Sequence, residues 1–282
     1  MRGVVSAGMC VLLEQAGLID AIDVIYGVSS GALNGSFTAA GQAALAATNY
    51  VDTANRRFAN PLRVLRGRAA IDLDLLFDDL IRSRKPYSAA GLASGPPFRA
   101  LGVDLTTSEL AVLSNFNDVE DLIAAVRASC ALPLLSGRPP AYRGVPMADG
   151  GLIESIPYPT AFAEGATHVL VLRSRPPEYR KRPHTRAFIE IVRRSGHPAL
   201  APLTDSCPQR YNKQAAHLET TARDDPSLLQ IAPAPEAPQV RLLERSPDAV
   251  RQGLLAGANA AADTLGLPRI DLFWQPQVYM AA

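Results

Sequence analysis

The spacing of apolar residues changes along this chain, and the changes predict alternating helices and strands. Val4 to Ala16 carries a dense apolar set closed by Glu14 and Gln15, which predicts an amphipathic first helix. Arg2 ahead of Val4 to Leu13 also has the look of the basic and apolar regions of a signal peptide, but no small-residue cleavage site follows. Ile22-Asp23-Val24-Ile25-Tyr26 reads as a short strand ending at Gly27, and the small residues from Gly31 to Ala47 have helical composition. Phe98 to Val103, the polar stretch Asp104 to Glu109 and then Leu110 to Leu113 predict a hairpin. Asp118 opens a helix through Ser129, with Glu120 and Asp121 in its first turn, where negative charge suits the helix dipole; Pro133 closes it.

Further on, Tyr142 to Met147 reads as a short strand interrupted by Pro146 that delivers Asp149-Gly150-Gly151 into a loop. A helix from Pro159 to Glu164 precedes His168 to Leu172, whose continuous apolar run suits a parallel strand covered on both faces. Helices follow at Thr185 to Arg194, Thr204 to Ala222 and Pro247 to Leu265, with a Pro-rich connector from Ala232 to Pro238. Strands alternating with helices and no internal repeat predict a three-layer α/β/α domain with a mostly parallel central sheet. The expected organisation is one domain over residues 1–282, with a core of about 1–175 and a helical, Pro-rich part of about 176–282.

Composition narrows the function classes. The chain has 282 residues, 48% hydrophobic and 20% charged, which excludes disordered and fibrous classes. Lys+Arg 28 against Asp+Glu 27 leaves no global field to draw nucleic acid, so no nucleic-acid partner is expected and any electrostatic recognition is local. Cys10, Cys130 and Cys207 are odd in number and widely spaced, which suits neither a disulfide framework nor a metal cluster and points to a reducing, cytoplasmic setting. No run of 18 apolar residues predicts a spanning helix.

The candidate chemistry lies at two loops. Gly27-Val28-Ser29-Ser30-Gly31 is a G-x-S-x-G pentapeptide between a predicted strand and a predicted helix, where Gly27 and Gly31 permit a tight turn that projects the Ser29 hydroxyl. The following helix aims its N-terminal amides at the same place. Asp149 stands before Gly150 and Gly151, which allow close approach to another loop. A serine nucleophile needs a base, and Asp149 competes for that role with His168, His184, His197 and His217. None of the histidines sits in a loop after a late strand, so Asp149 is the better candidate, with a Ser-His-Asp triad as the alternative.

In order and spacing, Met1-Arg2-Gly3, Gly27 to Gly31, Ala128-Ser129-Cys130-Ala131-Leu132-Pro133 and Asp149-Gly150-Gly151 resemble the motifs of the bacterial patatin-like phospholipases. Gly102 to Thr107, Ile156-Pro157 and Arg173 to Lys181 extend the likeness over nearly the whole chain. The resemblance implies a lipid acyl hydrolase in which Ser29 attacks an ester carbonyl and Asp149 takes its proton, through an acyl-serine intermediate and without metal or cofactor. It also implies that Arg2 and Gly3 belong to the oxyanion loop. That family's glycine run and the strand carrying it would precede Arg2, so this chain looks as if it lacks its first strand. The expectation is either an upstream start or a degenerate member that binds lipid without hydrolysing it, since loss of one oxyanion donor costs about two to three orders of magnitude in rate. Arg173 to Arg186 is strongly basic, and within it Arg180, Lys181 and Arg182 are candidate headgroup ligands that would also favour peripheral contact with an anionic membrane.

Overall fold

The computed structural model describes residues 1–54, 57–66, 68–221 and 224–270. Its helices are α1 (Val4–Gln15), α2 (Ser30–Ala39), α3 (Ala43–Thr53), α4 (Ala89–Ser94), α5 (Val119–Ser129), α6 (Tyr158–Ala163), α7 (Arg186–Arg193), α8 (Leu200–Thr221) and α9 (Pro247–Leu265), with a π-type helix at Leu75–Arg84. Its strands are β1 (Ile25–Val28), β2 (Phe98–Asp104), β3 (Glu109–Leu113), β4 (Ala141–Tyr142), β5 (Val145–Asp149), β6 (Val169–Leu172) and β7 (Leu228–Ile231). The α/β class therefore holds. The parallel pairings are β1 with β2 and β6 with β7, whereas β3 and β5 run antiparallel to β2, and β4 antiparallel to β5.

β2 pairs with both strands that matter most. Val28 pairs with Leu101 and Asp149 with the next residue, Gly102, and since β3 pairs Ala100 to Asp104 along the opposite edge, β1 and β5 meet end to end along the same edge of β2. The residue after Val28 and the last residue of β5 are thus delivered to neighbouring positions, where the C-terminal ends of the two strands face each other across the middle of β2.

Local signals explain many boundaries. The Asp118 carboxylate accepts the Asp121 amide at 2.8 Å and caps α5, while Arg127 sits in the last turn. Ser246 caps α9, Pro247 occupies its first turn and Gly266 closes it in the left-handed conformation. The helix expected from Gly31 to Ala47 is instead two helices, because Gly41 adopts φ 66° and ends α2. α3 then starts under a long-range cap, with the Glu14 carboxylate accepting the Ala43 amide at 2.9 Å. The predicted first strand moves to Ile25–Val28, since Ile19–Ala21 forms a 3₁₀ turn. The predicted helix end at Ala222, like residues 271–282 of the expected domain, lies outside the described residues.

The first helix departs from expectation more deeply. All ten residues from Val4 to Leu13 are buried, so α1 is enclosed on every side rather than amphipathic. α9 crosses it at backbone contact: a Cβ on Gly8 would lie 2.0 Å from the Leu254 carbonyl oxygen, and one on Gly257 1.8 Å from that of Val5. The main core accordingly joins Val4–Leu12 and the α2 and α3 residues to Val250, Leu254, Ala261 and Ala262. No helix among the described residues is long and apolar enough to cross a membrane.

Candidate active site

Ser29 occupies the junction of β1 and α2 with φ 55° and ψ −128°, a conformation that costs a non-glycine residue about 1–3 kcal/mol. The turn is closed because Gly27 presses directly on the helix; a Cβ there would sit 2.5 Å from the Gly31 carbonyl oxygen and 2.6 Å from Ala32 Cα. Gly31 differs from expectation: a Cβ on it meets nothing within 4 Å, so the turn requires only the first glycine sterically. Gly35, one turn of α2 further on, packs against Ile25 and Phe98 and brings the helix down onto the sheet.

The strained turn is held by its neighbours. The Ser29 amide donates to Ser129 Oγ at 2.9 Å, and that hydroxyl donates to the Leu101 carbonyl at 2.6 Å. The Ser29 carbonyl accepts from the Ala32 amide at 2.9 Å and from Cys130 Sγ at 3.2 Å. The same segment reaches Asp149, whose amide donates to the Ala131 carbonyl at 3.0 Å. Ala128 to Pro133 therefore braces both sides of the site. The sequence assigns Ser129 no role, since only the fold brings this helix-ending serine against the Ser29 amide.

Replacing Ser129 by alanine leaves the Ser29 amide without its acceptor, a loss of about 1–3 kcal/mol for a buried group. The expected result is a kcat lowered about 10–100-fold with little change in KM, because the nucleophile loses its position rather than its substrate contacts. Steady-state kinetics with a short-chain ester, alongside urea unfolding, checks this.

Asp149 is 2% exposed. Its Oδ1 accepts the Gly151 amide at 2.8 Å, while Oδ2 is buried without a hydrogen-bond partner. Gly150 is required here, since a Cβ would fall 2.4 Å from the Leu101 carbonyl oxygen, and a Cβ on Gly151 would crowd Oδ1 at 2.9 Å. Burial raises the Asp149 pKa above the usual carboxylate range; the Ser29 hydroxyl, the Gly151 amide and the charges of Lys181 and Arg2 oppose it without cancelling it. Ser29 is thus near enough to influence the carboxylate, although no hydrogen bond of ordinary length and angle joins the two side chains. Catalytic contacts often close only once substrate is bound.

Both residues line one large cavity of about 1570 Å³, together with Arg2, Gly3, Arg175 and Lys181. Gly3 reaches the elbow, and Arg2 lines the same cavity. The Gly3 carbonyl accepts from Asn34 Nδ2 at 2.8 Å, Tyr50 OH donates to Asn34 Oδ1 at 2.9 Å, and a Cβ on Gly3 would strike Ser30 at 2.4 Å. Asn34 therefore ties the start of α1 to α2 and α3 in addition to packing within the elbow helix.

The basic candidates separate. Arg180 lines the cavity too, but it is engaged by Glu219 at 2.5 Å and by the Pro177 and Tyr179 carbonyls. Lys181 reaches inward to Ser155 Oγ at 3.0 Å, and Arg182 is exposed at the cavity edge. Among the described residues no histidine bonds to Ser29 or Asp149. His168 meets Thr167, His217 lies against Tyr158 and Thr221, and His184 lies against Phe188.

The chain is 27% identical over 266 residues to the Escherichia coli (strain K12) protein YjjU, covering 93% of this chain and 70% of that protein. A family model described as patatin-like phospholipase matches residues 1–162, a segment that contains the strained serine, its brace and the buried aspartate. That match spans more than half of the 282 residues, and the chain belongs to the patatin-like phospholipase family.

Proposed function

We propose that this protein hydrolyses fatty-acyl esters with Ser29 as nucleophile and Asp149 as general base. Family membership makes it a hydrolase acting on lipid esters; the observation that carries the finer assignment is the partnerless Asp149 Oδ2, buried beside the strained Ser29 in a shared cavity. Ser29 Oγ attacks the ester carbonyl carbon as its proton passes to Asp149. The tetrahedral intermediate collapses, the leaving alcohol takes that proton, and an acyl-serine remains. Water then attacks the acyl group and gives its proton to Asp149; collapse releases the fatty acid and returns the proton to Ser29. In this reading the oxyanion is met by the amides at the start of α2, with Gly3 and Arg2 beside them. A cavity of about 1570 Å³ exceeds the usual range for a drug-sized ligand and leaves room for an acyl chain.

Fluorophosphonate labelling tests the nucleophile: one adduct mapped to Ser29 supports the reading. Absence of label together with binding of a fatty-acyl ester identifies a lipid-binding protein that does not turn over. Loss of labelling on removing a histidine, with Asp149→Asn still labelled, identifies a triad.

The pH profile tests the base. A general base works ionised, and the pKa of Asp149 is raised by burial, so kcat/KM is expected to rise through an acidic limb whose midpoint lies above about 3.9. Lys181 opposes that elevation, so Lys181→Met is expected to move the limb to higher pH. A limb at the same pH in both proteins argues against Asp149 as the base.

A further inference from the structure

We propose that Arg173, Arg175 and Lys181 form an anion subsite in the wall of the catalytic cavity and that its ligand is a phosphate group. Arg173 is 3% exposed, yet among the described residues its guanidinium meets only neutral acceptors: Gln230 Oε1 at 3.2 Å, Tyr211 OH at 3.2 Å and the Pro177 carbonyl at 3.5 Å. Its Nε is buried without a partner. Arg175 donates to Gln239 Oε1 at 2.7 Å, lies 4.8 Å from the centre of the Tyr179 ring, and also has a buried, partnerless Nε. Lys181 Nζ meets Ser155 Oγ at 3.0 Å and lies 4.7 Å from the centre of the Tyr211 ring. The two rings pack edge to face at 5.8 Å, so the three cations gather around one aromatic pair, and all three line the cavity.

Charge accounting points to an anion. A buried cation is costly unless a negative group answers it. Among the described residues none of the three forms a salt bridge, whereas Arg180 in the same segment has Glu219. The nearby charges add to the imbalance: Arg2 repels Arg175, and Lys181 and Arg2 both act on the buried Asp149. Arginine presents a fork of donors that fits phosphate oxygens, and the two partnerless Nε groups are donors still to be satisfied. The phosphate could be that of a glycerophospholipid, whose acyl ester would then fall near Ser29, or a free phosphate; the lipid source rests on the hydrolase reading above.

Kinetics and melting together test the proposal on the full chain. The wild type and Arg175→Gln are compared on dihexanoyl phosphatidylcholine and on dihexanoylglycerol, and each is melted with and without millimolar inorganic phosphate. The expected result is a phospholipid-to-diacylglycerol ratio of kcat/KM about tenfold lower in the variant, carried mainly by KM, and a phosphate-dependent rise in Tm that only the wild type shows. An unchanged ratio with the wild-type Tm rise intact supports the subsite with free phosphate as its ligand. No phosphate effect on the wild-type Tm and no change in the ratio overturn the proposal. Arg175 is only half-buried, and circular dichroism of the variant separates misfolding from lost binding; Lys181→Gln repeats the melting comparison at an independent position. If the wild type cleaves neither ester, the hydrolase reading fails, and the phosphate melting shift still decides the subsite.

Discussion

Replacing Ser29 by alanine is expected to abolish ester hydrolysis, with kcat reduced by about 10⁴-fold or more, the scale on which covalent nucleophiles fail when removed. Asp149→Asn is expected to fall by a comparable factor, since an amide cannot accept the Ser29 proton. The same substitution is expected to act on stability in the opposite direction. Burial raises the Asp149 pKa in the folded protein, so the fold disfavours the ionised form. That cost sets in as pH rises through the unfolded value of about 3.9 and is complete above the folded value. At neutral pH the asparagine variant carries no such charge, while its side-chain oxygen can still accept the Gly151 amide. A Tm above wild type at pH 7, with the difference disappearing below about pH 4, is therefore expected alongside the loss of activity. Thermal melting across pH with parallel esterase assays checks both. A variant that is inactive and also less stable at pH 7 would argue for a structural aspartate.

The second large effect concerns α1 and α9. Gly257→Ala places a methyl where the Val5 carbonyl oxygen lies 1.8 Å away, and Gly8→Ala does the same against Leu254 at 2.0 Å. Neither obstacle is a flexible side chain, so the helices must separate along a crossing buried on every side. Overpacking of this kind costs about 1–3 kcal/mol and sometimes more. For either variant we expect about 3 kcal/mol of destabilisation, or a Tm lowered by about 6–12 °C. Activity is expected to fall as well, because the start of α1 carries Gly3 to the elbow and Arg2 to the cavity. Gly31→Ala is the contrast: its Cβ meets nothing within 4 Å and it lies in α2, so stability is expected to be unchanged or slightly higher. Calorimetry on the three variants checks the ordering.

Much of the site was readable from the chain because its signals are local. A strand running into Gly27, a serine and a run of small residues describe an elbow without reference to any other part of the molecule. The hairpin from Phe98 to Leu113 and the caps of α5 and α9 are equally local, and their bounds match closely. Where composition alone was the guide, the reading slipped. The small residues from Gly31 to Ala47 stay helical in character through Gly41, whose positive φ is the only break. β7 went unread because its four residues find their ladder only against β6, almost 60 positions earlier.

The sequence by itself determined which residues could carry the chemistry, Ser29 and Asp149, and the strand-to-turn geometry that exposes the first of them. Turn sterics and residue type suffice for that. Tertiary structure decided the rest. It enclosed α1 on all sides through a helix some 240 positions away, bound the Ser29 amide to Ser129, and left Asp149 Oδ2 buried without a partner. Of the cavity-lining cations in one basic segment it paired Arg180 with Glu219 and left Arg173, Arg175 and Lys181 without a salt bridge among the described residues. Burial and pairing depend on which distant groups share a volume, and the order of residues along a chain does not state that.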